Sequence, residues 1–163
     1  MNMVEAVKSV LSQYVGFSGR ARRSEFWYWQ LATVLAGIVV GVIEFLLGLG
    51  SDASGPISTA LSLAIFLPGL AVGFRRLHDT GRSGWWLGGL YLGLFFSGIV
   101  IASTVFAMIN GGDDSFVVLF GIFFIAVLIY CGLLLFFFCQ DSQAGPNKYG
   151  SNPKNEGNFD IFS

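Results

Sequence analysis

Four long apolar runs dominate the pattern of the chain, and short polar segments separate them. The runs are residues 26–49, 57–77, 86–108 and 116–139. A helix needs about 20 apolar residues to cross a hydrocarbon core roughly 30 Å thick, and each run is long enough. The pattern predicts an all-α membrane protein in which four transmembrane helices form one domain, residues 26–139. Residues 1–25 precede this domain, and residues 140–163 follow it as a tail.

Both flanking segments have patterns of their own. Before the first run, apolar residues recur at helical spacing, at Val4, Val7, Val10, Leu11, Tyr14 and Val15. This spacing predicts a short N-terminal amphipathic helix at the membrane interface, with a frayed terminus as the alternative. The tail is rich in Gly, Asn and Ser, and its composition alone predicts disorder. Gly81 is predicted to end the second long helix, because glycine tolerates left-handed backbone geometry.

The basic residues are confined to alternate segments outside the runs and to the adjoining end of the second run. They are Lys8, Arg20, Arg22, Arg23, Arg75, Arg76, Arg82, Lys148 and Lys154. The remaining segments, residues 50–56 and 109–115, hold Asp52, Asp113 and Asp114 but neither Lys nor Arg. Because loops rich in Lys and Arg stay in the cytoplasm, the asymmetry predicts that the N and C termini are both cytoplasmic.

Composition excludes several classes of protein. Apolar residues make up 54% of the chain and charged residues only 12%, so a water-soluble domain with its own core is not expected. Cys131 and Cys139 lie in one run, about 12 Å apart along a helix, which is too far for a disulfide. The chain has a single histidine and shows no spacing typical of metal ligands. We therefore predict no metal, no cofactor and no nucleic-acid partner.

Small and aromatic residues distinguish the four runs. Glycines recur four residues apart in the first three runs, as Gly37 with Gly41, Gly69 with Gly73, and Gly89 with Gly93. In lipid, such pairs allow close approach of helix backbones. We therefore predict that the first three helices pack tightly and that the phenylalanine-rich fourth helix faces more lipid. Four tryptophans near the basic segments are predicted to be interfacial anchors: Trp27, Trp29, Trp85 and Trp86.

The main candidate site is a set of charged residues that precede the first long helix or link the second to the third. They are Arg20, Arg22, Arg23, Glu25, Arg75, Arg76, His78, Asp79 and Arg82. If the first three helices pack together, both groups meet at one membrane face. Surplus arginine favours carboxylate or phosphate ligands. We predict a non-enzymatic module that binds anionic lipid headgroups or an acidic partner there. The alternative is that these residues only set topology and pair internally.

Two residues within the runs suggest a different function. Glu44 is the only acidic residue inside a run, which makes it a candidate proton or cation site; an interfacial or packing role is the competing interpretation. Pro68 removes the hydrogen bond to the carbonyl of Ala64 and predicts a kink, either static or hinged. A small oligomeric transporter or channel is therefore the alternative function.

His78 and Asp79 suggest a second alternative, a membrane enzyme that acts on lipid phosphates. Adjacent residues on a helix point about 100° apart, which disfavours a direct hydrogen bond between their side chains. The sequence also shows no activated nucleophile, so we assign no catalytic residue and favour a protein without enzymatic activity. The expected partners are membrane lipids, with a second copy of the chain or another membrane protein as further candidates.

Three segments carry a resemblance to a known family. They are GRARRSEFW at residues 19–27, RRLHDTGRSGWW at 75–86 and GPNKYG at 145–150. These segments resemble motifs of the YhaH-like family, small bacterial inner-membrane proteins that share a domain of unknown function. The resemblance spans nearly the whole chain and implies a multi-pass helical protein of the inner (plasma) membrane. It also implies that the tail docks on the arginines, through Asp141 or the backbone carbonyls near Asn147.

Overall fold

A computed structural model describes residues 1–49, 55–111 and 115–154 of the chain. It contains five helices in these ranges: α1 Met3–Ser12, α2 Arg23–Leu46, α3 Pro56–Asp79, α4 Trp85–Ile109 and α5 Ser115–Cys139. The rest of the described chain is turns and loops, with one isolated bridge between Asn147 and Gly150. The predicted all-α class is therefore confirmed.

The four long helices agree with the predicted transmembrane runs. α2 and α3 each have 24 residues, and α4 and α5 each have 25. All four are long and apolar enough to cross a membrane. α2 begins at Arg23, before the first apolar run, because the polar residues at its start continue the same helical turn. The prediction of four transmembrane helices is confirmed.

Local signals fix the ends of two helices. α1 begins with a capping box, in which the Asn2 side chain accepts from the Glu5 amide and the Glu5 carboxylate accepts from the Asn2 amide. α3 ends at Asp79, and the predicted stop residue Gly81 follows its C-cap with a φ of +76°. The Gly81 and Arg82 amides donate to the carbonyls of His78 and Leu77, which is the Schellman pattern.

The chain forms two compact units. The first contains α1, α2, α3 and the tail from Asp141 onward, and the second contains α4 and α5. Within the first unit α2 packs on α3 and α1 packs on both; within the second, α4 packs on α5. Each unit thus pairs two of the transmembrane helices.

This pairing corrects the predicted packing of the fourth transmembrane helix. Tight contacts are not confined to the first three helices, because Tyr130 of α5 lies against Gly89 of α4 and donates a 2.6 Å hydrogen bond to the Trp86 carbonyl. A glycine leaves space that a tyrosine on the facing helix can fill, so two helices can pack closely even when only one of them has a small residue at the contact. Conversely, a Cβ built at Gly37 or Gly41 meets no atom of the first unit within 4 Å outside its own part of α2. Within the first unit, those two glycines therefore do not mark a tight contact.

The N-terminal amphipathic helix is confirmed, and it packs on the first two transmembrane helices. Ala6 and Val10 of α1 are fully buried, while Val4 and Leu11 stay exposed. Just after α1, the Tyr14 hydroxyl donates a 2.5 Å hydrogen bond to the carbonyl of Ala64, near the middle of α3. This is the carbonyl that Pro68 leaves without its usual helical donor. Tyr14 therefore supplies a hydrogen-bond donor to the α3 carbonyl that Pro68 leaves unpaired.

We expect Tyr14→Phe to lower the free energy of unfolding by about 1 kcal/mol, because the Ala64 carbonyl loses its donor. In a Pro68→Ala background, the new amide at position 68 can donate to the same carbonyl, so Tyr14→Phe should then cost much less. Equilibrium unfolding of the four proteins in mixed micelles measures this double-mutant cycle. An equal cost of Tyr14→Phe in both backgrounds would contradict the interpretation.

Candidate functional site

The end of α3 and the segment before α2 are joined through their backbones. We call residues 16–22 the hinge. The Ala21 amide donates to the Arg75 carbonyl at 3.0 Å, and His78 Nδ1 lies 3.2 Å from the Gly19 carbonyl oxygen. The antiparallel packing of α2 on α3 therefore brings the two predicted groups of charged residues together, as the sequence suggested.

Asp79 is the centre of this region. Its Oδ1 accepts from Arg20 Nε at 2.9 Å, and its Oδ2 accepts from Arg76 Nη1 at 2.6 Å. The three side chains are at most 1% exposed. We call Arg20, Arg76 and Asp79 the Asp79 cluster. One carboxylate is thus shared by two buried guanidinium groups.

Backbone carbonyls of the tail also accept hydrogen bonds from Arg20. Arg20 Nη1 donates to the carbonyls of Gly145 at 2.7 Å and Gly150 at 3.3 Å, and Nη2 donates to that of Gln143 at 2.6 Å. These carbonyls lie on both sides of Asn147, as the family resemblance implied. Composition predicted a disordered tail, and for residues 140–154 that prediction was wrong. The contacts use backbone oxygens, which every residue has, so amino-acid composition could not predict them.

Other tail contacts surround the same helix end. The Ser142 hydroxyl donates to Asp79 Oδ2 at 2.6 Å, and the Gln143 amide donates to the Asp79 carbonyl at 3.0 Å. Asn147 Nδ2 donates to the carbonyl of His78 at 2.9 Å. The Tyr149 ring stacks on the His78 ring with centroids 3.8 Å apart. Ser142, Gln143 and Tyr149 were not predicted as site residues, although Tyr149 lies in the GPNKYG motif.

Two charged tail residues pair with each other, and a basic side chain of the hinge holds the end of the described tail. Asp141 Oδ1 accepts from Lys154 Nζ at 2.6 Å, and this hydrogen bond is the main cause that lowers the pKa of Asp141. Arg22 donates through Nε, at 2.7 Å, and through Nη2 to the carbonyl of Pro153. Asp141, offered by the resemblance as a partner of the arginines, is thus bound to Lys154.

A second buried ion pair lies beside the Asp79 cluster. Arg75 Nη1 is 3.4 Å from Glu25 Oε1, and this oxygen also accepts from the Ser9 hydroxyl of α1 at 3.0 Å. Arg75 is 1% exposed. Its Nε and Nη2 make no hydrogen bond to the described protein atoms. The pair ties the start of α2 to α1 and α3.

The arginines differ sharply in exposure. Arg20, Arg75 and Arg76 are buried at their side chains, whereas Arg23 is exposed, and Arg22 and Arg82 are half-buried. The alternative of internal pairing therefore describes the first three arginines. Only the last three lie where a ligand from outside can reach them in this conformation.

Arg23 lines a surface groove of about 220 Å³ together with Ser24, Trp27 and Tyr28. The tryptophans also differ in exposure, at 38% for Trp27, 79% for Trp85, 40% for Trp86 and 3% for Trp29. Trp29 lies beside Gly69 of α3 instead of facing outward, which corrects its predicted role as an interfacial anchor. Two residues along a helix turn by about 200°, so Trp27 and Trp29 occupy opposite faces.

His78 and Asp79 do not form a dyad. The His78 ring contacts the Gly19 carbonyl and Tyr149, while the Asp79 carboxylate binds Arg20, Arg76 and Ser142. Each side chain has its own structural partners. The geometry therefore gives no support to a proton relay between them.

Glu44 lies at the other end of the helix pair. It is 3% exposed, and its Oε1 accepts from the amides of Ile57 at 2.5 Å and Ser58 at 3.0 Å, while Oε2 accepts from the Ser58 hydroxyl at 2.6 Å. The carboxylate thus caps the first turn of α3 in the way an N-cap residue does. These contacts match the packing interpretation of Glu44.

Comparison with known proteins identifies the family of the chain. The family described as a protein of unknown function, DUF805, matches residues 14–151. The chain belongs to this family. Inner membrane protein YhaI of Escherichia coli (strain K12) is 38% identical over 146 residues, which cover 90% of this chain and 92% of the relative. Inner membrane protein YhaH of the same organism is 35% identical over 148 residues, covering 90% and 94%. No solved structure matches the chain.

Membership of the DUF805 family, with its inner-membrane relatives, and four helices of spanning length establish a multi-pass protein of the bacterial inner membrane. The family match begins at Tyr14 and ends at Ser151, so it includes the hinge, the Asp79 cluster and most of the docked tail. Among the residues that the structure describes, no group of three or more His, Cys, Asp or Glu side chains is arranged to hold a metal.

Proposed function

We infer that this DUF805 protein is a non-enzymatic membrane module that binds anionic lipid headgroups at its cytoplasmic face. The observation that supports this function is the groove at the start of α2, where the exposed residue Arg23 lies beside Ser24, Trp27 and Tyr28. The buried arginines do not contact the ligand in this conformation. They hold the hinge, α3 and the tail together so that the groove has a fixed shape.

The groove combines the groups that a lipid phosphate needs. A guanidinium offers a planar fork of donors to phosphate oxygens, and a serine hydroxyl adds one more donor. Both residues lie in the first turn of α2, whose N-terminal end carries partial positive charge. Trp27 and Tyr28 have rings with a polar edge, which favour the headgroup level of a bilayer. A phosphate at Arg23 therefore has its acyl chains beside an apolar helix.

The competing ligand is an acidic segment of a partner protein. It offers the same charge but no acyl chains, so the aromatic walls of the groove favour the lipid. Arg23 lies at the start of a transmembrane helix, close to the membrane surface, where each exposed basic residue contributes about 1 kcal/mol of attraction to an anionic leaflet. A carboxylate ligand from a soluble partner gains less from that position.

The test is native mass spectrometry of the protein purified from nanodiscs that contain phosphatidylglycerol and phosphatidylcholine. We expect the intact protein to retain phosphatidylglycerol in preference to phosphatidylcholine, and Arg23→Gln to lower this preference about fivefold, the effect of one basic contact. Lys8→Gln is the matched control, because it removes the same charge from an exposed position on α1, outside the groove.

Two results would contradict the proposal. Equal retention by the intact protein and Arg23→Gln means that the groove does not bind the headgroup. An equal loss in Arg23→Gln and Lys8→Gln means that the attraction is diffuse and that the groove has no part in it.

A further inference from the structure

The groove lined by Arg23, which we call the Arg23 groove, holds two ring donors without a hydrogen-bond partner in the described part of the chain. They are the indole N–H of Trp27 and the hydroxyl of Tyr28. Tyr14 and Tyr130, by contrast, donate to backbone carbonyls of neighbouring helices. Trp27 and Tyr28 are 38% and 37% exposed, so the protein does not enclose either ring.

The two rings belong to a deeper level of the bilayer than the phosphate-binding end of the groove. Arg23 and Ser24 lie in the first turn of α2, and Trp27 and Tyr28 follow four residues later, about 6 Å along the helix axis. The polar interface on each side of a bilayer is roughly 5–8 Å thick. A residue one turn below a bound phosphate therefore lies near the inner edge of that interface.

At this inner edge a glycerophospholipid presents its acyl ester groups. Each ester joins an acyl chain to the glycerol that bears the phosphate, and its carbonyl oxygen accepts hydrogen bonds but has no proton to donate. An indole N–H is a donor only, and a phenol hydroxyl can also donate. The two ring groups and the ester carbonyls are thus complementary in chemistry and in depth.

Water is the competing acceptor for these two donors. Water is plentiful at the headgroup level but scarce toward the hydrocarbon core, where an unpaired polar group is costly. An acceptor that the bound lipid itself carries pairs the donors without drawing water into the groove.

The Trp27 ring is also restrained by its neighbour. The Phe26 and Trp27 rings meet edge to face, with centroids 5.3 Å apart and an angle of 81° between the planes, and Phe26 is 4% exposed. A ring that is already restrained loses less conformational freedom when it binds a ligand. This contact therefore favours the indole as a donor.

We propose that the Arg23 groove recognises the ester linkage of an anionic glycerophospholipid in addition to its phosphate. Arg23 binds the phosphate, while Trp27 Nε1 and the Tyr28 hydroxyl donate to the acyl ester carbonyl oxygens. The ligand class is ester-linked lipid, and an ether-linked lipid with the same headgroup is a poorer ligand. This inference rests on the proposed function, because it concerns the same groove, and it adds a second recognised group.

Competition between ester-linked and ether-linked phosphatidylglycerol tests the proposal. The two lipids share the headgroup and the chain length, but the ether lipid has no carbonyl oxygen. The full-length protein is purified from nanodiscs that contain equal amounts of both, and native mass spectrometry compares the two bound lipids. We expect about fivefold preference for the ester-linked lipid, the effect of one net hydrogen bond. Equal retention of the two lipids overturns the proposal.

Two conservative variants locate the contact. Trp27→Phe and Tyr28→Phe each remove one donor and keep an aromatic ring, so at least one of them should lower the ester preference, and the double variant should abolish it. Both lipids are compared within one sample, so a variant that retains less lipid overall still reports the preference. Trp85→Phe is the matched control, because Trp85 is 79% exposed at the start of α4 and does not line the groove.

Two results with these variants would also overturn the proposal. An unchanged ester preference in the double variant means that the two rings do not bind the ester. An equal loss in Trp85→Phe means that any interfacial tryptophan gives this preference and that the groove has no special part in it.

The headgroup comparison separates this proposal from the proposed function. Equal retention of the ester and ether lipids, together with an Arg23-dependent preference for phosphatidylglycerol over phosphatidylcholine, refutes ester recognition and leaves the proposed function standing. Conversely, ester-linked and ether-linked phosphatidylcholine give the same comparison without an anionic headgroup. An ester preference between those two lipids supports ester recognition even if Arg23→Gln shows that the headgroup preference does not depend on Arg23.

Discussion

Asp79→Asn should lower the free energy of unfolding by about 3–5 kcal/mol, the range expected when one partner of a buried ion pair is removed. The Asp79 side chain is 0% exposed and is the carboxylate that Arg20 and Arg76 share. An asparagine can accept from one of them but carries no charge. Two buried guanidinium groups would then face each other without a counter-charge between them.

Equilibrium unfolding in mixed micelles, followed by helical circular dichroism, measures this loss. Asp141→Asn is the matched control, because the Asp141 side chain is 69% exposed and pairs with Lys154 at the surface. Exposed ion pairs contribute little, so the control should unfold close to the intact protein. Similar stability of the two variants would show that Asp79 does not organise the cluster.

Glu44→Ala should have the second large effect, at the opposite end of the helix pair. The Ile57 and Ser58 amides would lose a charged acceptor, and the first turn of α3 would lose its cap. We expect hydrogen exchange at these two amides to become about tenfold faster or more, as for loss of a charge-assisted hydrogen bond. Glu44→Gln keeps one acceptor oxygen and should give a smaller change.

This pair of variants also bears on the transporter alternative. A carboxylate that serves only as a proton or cation site would not slow hydrogen exchange at the Ile57 and Ser58 amides. Unchanged exchange in Glu44→Ala, together with a loss of proton flux in proteoliposomes, would favour transport over capping. Faster exchange in Glu44→Ala, with no flux in the intact protein, is the result that the structure leads us to expect.

Sequence patterns were sufficient for the architecture because apolar length alone decides whether a helix can span a bilayer. They also predicted that the charged residues meet. Two antiparallel helices joined by a short loop must place Arg23 and Asp79, at their free ends, on one side. The Schellman turn at Gly81 followed from the conformational freedom of glycine.

The burial of individual arginines could not be predicted in the same way. Exposure of a side chain depends on which helix face meets its neighbour, and the docked tail covers a further part of the surface. Arg20 and Arg23 have the same charge and lie three residues apart, yet Arg20 is bound by tail carbonyls and Arg23 lines an open groove. Because every residue has a backbone carbonyl, a sequence does not show which carbonyls bind an arginine. The motif around Asn147 was the one sign that the tail has a fixed partner.

The pairing of the fourth transmembrane helix has a related cause. The sequence showed small residues in the first three runs, and small residues indicate close contacts in lipid. It did not show that a bulky partner can fill the space a glycine leaves, as Tyr130 does opposite Gly89. Complementary shape, unlike glycine spacing, depends on two helices at once.

The hinge, the end of α3 and the tail meet around Asp79, and the distribution of basic residues predicts that this face is cytoplasmic. The most direct test is labelling of single cysteines, in a chain without Cys131 and Cys139, by a maleimide that does not cross membranes. We predict that Ser18→Cys and Ser151→Cys stay unlabelled in intact cells and react once the membrane is opened, whereas Leu49→Cys, between α2 and α3, reacts from outside. Labelling of either serine position in intact cells would contradict the account.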